Sequence, residues 1–243
     1  MVKKAIISDI HGDYKLLQLV LEDIDRKGIK EIYCLGDIFG EEKYKTNFDK
    51  ENNKCLEALV NSEACIIKGN IEDEVNPEDN FFNLTHDNIG YVRSLPLINR
   101  EGHNGEVLYI HTLPRDERYN FVNTLEAKKK RNELANAKMS DEELIKDYQA
   151  SLLKAFKCEK FKVAFVGHSH SIGIFEYYIE NGQPQIKEHE FDMNNKFVIP
   201  TSNSRYIVNI GNITLGGKIL NDQPSYIIYD NENNEVELVQ LTL

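Results

Sequence analysis

With 243 residues the chain suits one large α/β domain or two small ones, and a chain of this size buries roughly 70–75% of its unfolded surface without staples. Its 40 acidic residues against 29 basic ones give a formal charge of -11 and a pI near 5.2, which argues against duplex nucleic acid as a partner. Cys34, Cys55, Cys65 and Cys158 form no C-x-x-C pair, no secretory leader precedes Ser8-Asp9, and no run approaches the ~20 apolar residues of a membrane span. A cytoplasmic protein with no membrane partner is therefore expected, its cysteines acting as small buried hydrophobes.

Lys4 to Ser8 is a short apolar run fit for a strand buried on both faces. Asp13 reads as the N-cap of a helix whose Leu16, Leu17, Val20, Leu21 and Ile24 share a face, ending near Gly28. Glu31 to Leu35 is the next strand, and a helix around Cys55, Leu56, Leu59 and Val60 leads to a third, Ala64 to Lys68. This β-α-β-α-β run predicts parallel strands with right-handed crossovers. Val107 to Ile110 is a further strand. Residues 117–157 then break the rhythm with charged helical text. Ser140-Asp141-Glu142-Glu143 matches a capping box, followed by Leu144, Ile145, Tyr148, Leu152 and Phe156 at helical spacing. Two helices are expected there, as a hairpin or cap shaping a pocket mouth, with Lys128-Lys129-Lys130-Arg131 on a solvated face. From Lys162 onward the text is β-rich, with strands ending at Val166 and running through 174–179, 205–210, 226–229 and 236–241. Asn181-Gly182 and residues 231–234 are turns. The expected organisation is a single domain, residues 1–243, carrying a helical insertion at approximately 117–157.

Candidate metal ligands stand just beyond these strands: Asp9-Ile10-His11, Gly36-Asp37, Gly69-Asn70, His111 and Gly167-His168-Ser169-His170. Alternate strand residues share a face, so Asp9 and His11, and likewise His168 and His170, are expected to converge as the chain leaves the sheet. The carboxyl ends of parallel strands are where open α/β sheets place their sites. Asp and His with one Asn amide and no thiolate suit Mn²⁺, Fe²⁺, Ni²⁺ or Zn²⁺ rather than Ca²⁺. Seven such residues suffice for two ions if one carboxylate bridges, and paired divalent cations are an apparatus for attacking phosphorus.

The pattern D-x-H, G-D, G-N, H, G-H-x-H resembles the calcineurin-like metallophosphoesterase superfamily. Leu35-Gly36-Asp37-Ile38-Phe39-Gly40, His111-Thr112-Leu113-Pro114-Arg115-Asp116 and Asn209-Ile210-Gly211-Asn212-Ile213 are similar to signatures of a prokaryotic branch of it, and the resemblance covers nearly the whole chain. It implies a four-layer α/β/β/α sandwich with a dimetal site at its centre. Asp9, His11, Asp37 and His170 would hold one ion and Asp37, Asn70, His111 and His168 the other, with Asp37 as the bridge. Asp37, Asn70 and His111 would thereby be catalytic, and a bridging hydroxide would hydrolyse a phosphoester.

One departure stands out. Members of the superfamily commonly read Gly-Asn-His at the third motif, with that His near the leaving-group oxygen; here the run is Gly69-Asn70-Ile71-Glu72. Isoleucine donates no proton, and a lost general acid costs roughly 10²–10⁴-fold where the leaving group is poor. Glu72 is a candidate substitute at the substrate, set against a surface carboxylate in the acidic run 72–74. Arg115 is a candidate phosphate clamp, set against an ion pair with Asp116. His86, His103 and His189 match no motif and are expected to be solvent-exposed. The expected activity is hydrolysis of phosphodiesters in a small nucleotide-like substrate. The alternatives are a phosphomonoesterase or protein phosphatase, although the D-R-G extension of the latter is absent at Gly36-Asp37-Ile38, or a metal-holding module without catalysis.

Overall fold

Strand β1 (Lys3–Ile7) serves two cores at once, because Ala5 and Ile7 point to one apolar cluster and Ile6 to the other, all fully buried. The computed structural model describes residues 2–40, 51–78, 82–113, 129, 139–201, 203–214 and 223–242. Strand β2 (Glu31–Cys34) runs parallel to β1 and β3 (Cys65–Ile66) parallel to β2, as the alternating signals require. Between them lie α1 (Tyr14–Arg26) and α2 (Asn52–Asn61), which bury Leu16, Leu17, Val20, Ile24, Cys55, Leu56 and Leu59. Asp13 caps α1 as expected, its Oδ1 accepting the Leu16 N–H at 3.0 Å.

The end of the chain completes this sheet. Strands β9 (Lys196–Val198), β11 (Ser225–Asp230) and β12 (Glu235–Gln240) join it in the order β3-β2-β1-β11-β12-β9, with β11, β12 and β9 pairing antiparallel to their neighbours. A second sheet is built from β4 (Ile98–Glu101), β5 (Val107–Ile110), β6 (Val163–Val166), β7 (Ile172–Glu180), β8 (Gln183–His189) and β10 (Arg205–Ile210). Its order is β4-β5-β6-β10-β7-β8, with parallel pairs only between β5, β6 and β10.

The two sheets pack face to face. Ile6, Tyr33 and Ile227 from the first meet Tyr109, Phe165, Tyr206 and Val208 from the second, and Tyr33 stacks on Tyr109 with ring centroids 4.1 Å apart. Helices α1, α2 and α4 (His86–Ser94) cover the outer face of the first sheet. Helix α5 (Asp141–Cys158) covers the second with Tyr148, Leu152, Ala155 and Phe156. The result is the expected four-layer sandwich. Ser140 and Glu143 form the predicted capping box of α5.

Three expectations change here. Helix α5 is a layer of the sandwich rather than part of a cap over a pocket, because its apolar stripe is matched to the outer faces of β5, β6 and β10. Of the 117–157 segment before α5, residues 129, 139 and 140 are described and the others lie outside the described residues, as does the rest of the Lys128-Lys129-Lys130-Arg131 run. Cys158 is exposed, since it falls on the solvent side at the end of α5, whereas Cys34 and Cys55 are buried. His189 is not solvent-exposed, because β8 sets its ring against the Glu176 carboxylate at 2.8 Å; His86 and His103 are exposed as expected. Among the described residues no helix is long and apolar enough to cross a membrane.

Candidate metal centre

The ends of β1, β2, β3, β5 and β6 come together at one edge of the sandwich, and each delivers part of a single polar site. The loops after β1 and β2 are laced to each other: Asp9 N–H donates to Gly36 O, Ile10 and His11 N–H to Asp37 O, and Gly12 N–H to Ile38 O. The loop after β3 adds Asn70, the first residue of α3 (Asn70–Asp73). The second sheet contributes His111, whose carbonyl accepts the Gly167 N–H at 3.0 Å and so aligns the β5 and β6 loops.

The structure departs from the expectation of strand alternation: Asp9 and His11 do share a cluster, but His168 and His170 part, each going to a different one. All four lie beyond the strands, and the backbone turns left-handed at each (φ 56°, 48°, 64° and 54°), as it does at Asp37 (φ 52°). Such conformations are uncommon for non-glycine residues, cost of order 1–3 kcal/mol each, and cluster where a site imposes them. Close backbone approach accompanies the turns. A side chain on Gly69 would overlap Asp37, and one on Gly167 would overlap Ser8 and Asp9.

Two clusters of donor atoms result. Asp9, His11 and His170 form one, Asp37, His111 and His168 the other, and within each the ligand atoms lie within 4.8 Å of one another. In the first, His11 Nε2 and His170 Nε2 are 3.0 Å apart and His170 Nε2 is 3.2 Å from Asp9 Oδ1. In the second, His111 Nε2 is 3.1 Å from His168 Nδ1 and 3.3 Å from Asp37 Oδ2. The Asn70 side-chain oxygen faces His111 Nε2 at 3.2 Å, with His168 Nδ1 at 2.7 Å and Asp37 Oδ2 at 3.3 Å. Oxygen directed at three acceptors is repulsive unless the amide is turned over or a cation lies among them. Asp9 Oδ1 is fully buried and takes no aligned hydrogen bond, while its Oδ2 accepts the His168 N–H at 2.9 Å. The donor set thus fits divalent cations.

The charges agree. Burial opposes ionisation of Asp9, but His170 and His11 outweigh it and hold the carboxyl well below its usual range. Asp37 is lowered against the same penalty, chiefly by His111. His111, although buried, is raised to about 9 by Asp37 and Asp9, whereas burial and His111 lower His168 to about 4. Protons therefore occupy positions that a metal would take, so metal loading releases them.

The calcineurin-like phosphoesterase pattern matches residues 2–171. The chain belongs to the calcineurin-like phosphoesterase family. It is similar to an uncharacterized protein, MJ0912, of Methanocaldococcus jannaschii, at 26% identity over 259 residues covering 99% of this chain and 88% of that one. Its fold is like that of a metallophosphoesterase from Sphaerobacter thermophilus, with a TM-score of 0.65, 22% identity, and 99% and 88% of the two chains covered. It is also like hypothetical protein PH1004 from Pyrococcus horikoshii OT3, with a TM-score of 0.60, 14% identity and the same coverage.

Around the donors of this phosphoesterase, two supporting groups stand out. Leu35 O lies 2.8 Å from His111 Nδ1, which places the proton there and leaves Nε2 free as a ligand. Glu72 was read as a substrate contact or a surface carboxylate; it is neither. It is buried, and its oxygens accept the N–H groups of Asp37 (2.8 Å), Ile38 (2.9 Å) and Gly69 (2.8 Å). The Gly69 bond is local, from the N-cap of α3 to its third residue, whereas Asp37 and Ile38 lie on a loop brought near only by folding, so the sequence shows the cap but not the anchor. Burial and the nearby Asp37 charge raise Glu72 to about 7. Ile71 is turned into the core shared with α1, α2 and α4, and its N–H donates to Asp37 Oδ1 at 3.0 Å. Arg115 lies outside the described residues.

Proposed function

We propose that this phosphoesterase uses two divalent cations to hydrolyse phosphodiesters of a small nucleotide-like substrate, with Mn²⁺, Fe²⁺, Ni²⁺ or Zn²⁺ as the metal. The observation that carries the reading is the juxtaposition of the two donor clusters, with the Asn70 side-chain amide directed into the second. Asp9, His11 and His170 would hold one ion and Asn70, His111 and His168 the other, with Asp37 shared. Bound there, such ions supply Lewis acidity and a water acidified to near neutral pH.

The protein's own residues do the rest. Asp37 brings a negative charge that offsets two cations, and the Ile71 N–H fixes one of its oxygens. His111 is set by Leu35 O to present Nε2 alone. Asn70 is a neutral oxygen donor and so leaves its ion strongly acidic. Ile71, buried in the core, gives the leaving group no proton, which supports a preference for diesters with good leaving groups over alkyl monoesters. Protein purified with Mn²⁺ is expected to cleave bis-p-nitrophenyl phosphate faster than p-nitrophenyl phosphate. Faster monoester cleavage would overturn the diester preference. Full metal occupancy with turnover of neither would favour a metal-holding module instead.

A further inference from the structure

The residue between the two C-terminal histidines points the other way. Ser169 is 1% exposed, as is Ser171, and their hydroxyl oxygens are 2.8 Å apart. The Ser171 N–H also donates to Ser169 Oγ at 3.3 Å. Below them Asn209, with no exposed surface, donates from Nδ2 to Ser171 Oγ at 3.4 Å. Strand β10 lies between β6 and β7, and Asn209 is in register with Val166 on one side and Gly173 on the other. The segment carrying His168 and His170 therefore passes over the end of β10, directly above Asn209.

Packing alone does not explain these side chains. Ile207, two residues back on the same face of β10, is apolar and part of the outer core. A polar group in such a place is unfavourable unless it is hydrogen-bonded, and an apolar residue would fill the space as well. The hydrogen bonds instead link Asn209 through Ser171 to Ser169, which is flanked by two histidines of left-handed backbone, and those histidines belong to different donor clusters. Backbone in that region persists only where the surroundings over-determine it.

We infer that Asn209, Ser171 and Ser169 are positioning residues that set the separation of His168 and His170, and through it the spacing of the two cations. The inference rests on the dimetal reading above. Its test uses Ser169→Ala, Asn209→Leu and the hydroxyl-retaining Ser169→Thr, with Mn²⁺ as the only added ligand. Wild type is expected to bind two Mn²⁺ by calorimetry and to show the electron paramagnetic resonance signal of a coupled pair. Ser169→Ala and Asn209→Leu are expected to keep the metal-free circular dichroism of wild type, with the urea midpoint lowered by the buried hydrogen bonds that each removes around Ser171. Each would lose about 10-fold or more in affinity for one Mn²⁺ and give the signal of uncoupled ions, whereas Ser169→Thr would retain the coupled signal. Wild-type affinity and coupling in the first two variants would overturn the inference, and so would a Ser169→Thr variant as impaired in affinity and coupling as Ser169→Ala. Should Asn209→Leu fail to fold, Ser169→Ala, which removes a single oxygen, decides alone. A wild-type protein that binds no pair of Mn²⁺ defeats the dimetal reading itself, a result seen before any variant is compared.

Discussion

Glu72→Gln tests whether a buried carboxylate holds the Asp37 loop in place. One oxygen accepts from Asp37 N–H and Gly69 N–H, the other from Ile38 N–H. The glutamine oxygen can replace the first of these, which turns its NH₂ toward the Ile38 N–H. One buried donor is then unsatisfied, at about 1–3 kcal/mol, and two bonds lose the assistance of charge, at about 1 kcal/mol each. A neutral side chain also escapes the burial cost and the like charge on Asp37, which together raise Glu72 to about 7, and this offset leaves a net destabilisation of about 1–3 kcal/mol. For a chain of this length that is a fall of roughly 2–12 °C in Tm. The assay is thermal and urea unfolding followed by circular dichroism, with EDTA present, at pH 8, above the value of about 7 assigned to Glu72. A loss below about 1 kcal/mol would refute the assignment of Glu72 as the anchor of these three amides.

Three further outcomes are expected. Mn²⁺ at 100 times its Kd stabilises the wild type by about 2.7 kcal/mol for each of the two sites in scanning calorimetry, and neither that gain nor phosphoester hydrolysis survives in Asp37→Ala. Ile71→His places an imidazole in the core, destabilises the protein by about 1–3 kcal/mol in urea, and leaves p-nitrophenyl phosphate turnover no higher than in wild type. Glu101 sits at the seam between the sheets, where Lys4, Tyr33 and Tyr109 donate to it and hold its carboxyl below the usual range against the effect of burial. Its folded pKa is depressed, so its contribution is present above the ordinary carboxyl value and lost as pH falls through the lower folded one. The urea midpoint should therefore drop below about pH 4.5 in wild type and drop less steeply in Glu101→Gln.

Strands flanked on both sides in their sheets were legible because they are short continuous apolar runs: β1, β2, β5, β6, β10, β11 and β12 were placed within a residue or two. Of the four edge strands, the apolar β3 was also legible, and β4, β8 and β9 were not. Each pairs on one side only and reads as mixed polar text, such as Ile98-Asn99-Arg100-Glu101, with no period to detect. The ligand residues were legible as types at strand ends, but their left-handed backbone was not, because that conformation is imposed by loops interlocked across the fold. Glu72 and His189 were misjudged for one reason. Their partners, on the Asp37 loop and across the β7–β8 hairpin, lie on other elements, and a charged or titratable residue among polar neighbours looks solvated until those partners are known.

All seven donor residues precede residue 171, yet β1 and β6, which carry four of them, owe one neighbour each to β11 and β10. During synthesis the metal ligands thus emerge well ahead of the scaffold that orients them. Until residues 205–230 arrive, both strands are open edges able to pair with the wrong chain. For this reason a nascent or truncated polypeptide can display every binding side chain and still have no centre, and maturation of the site waits on the synthesis of β10 and β11.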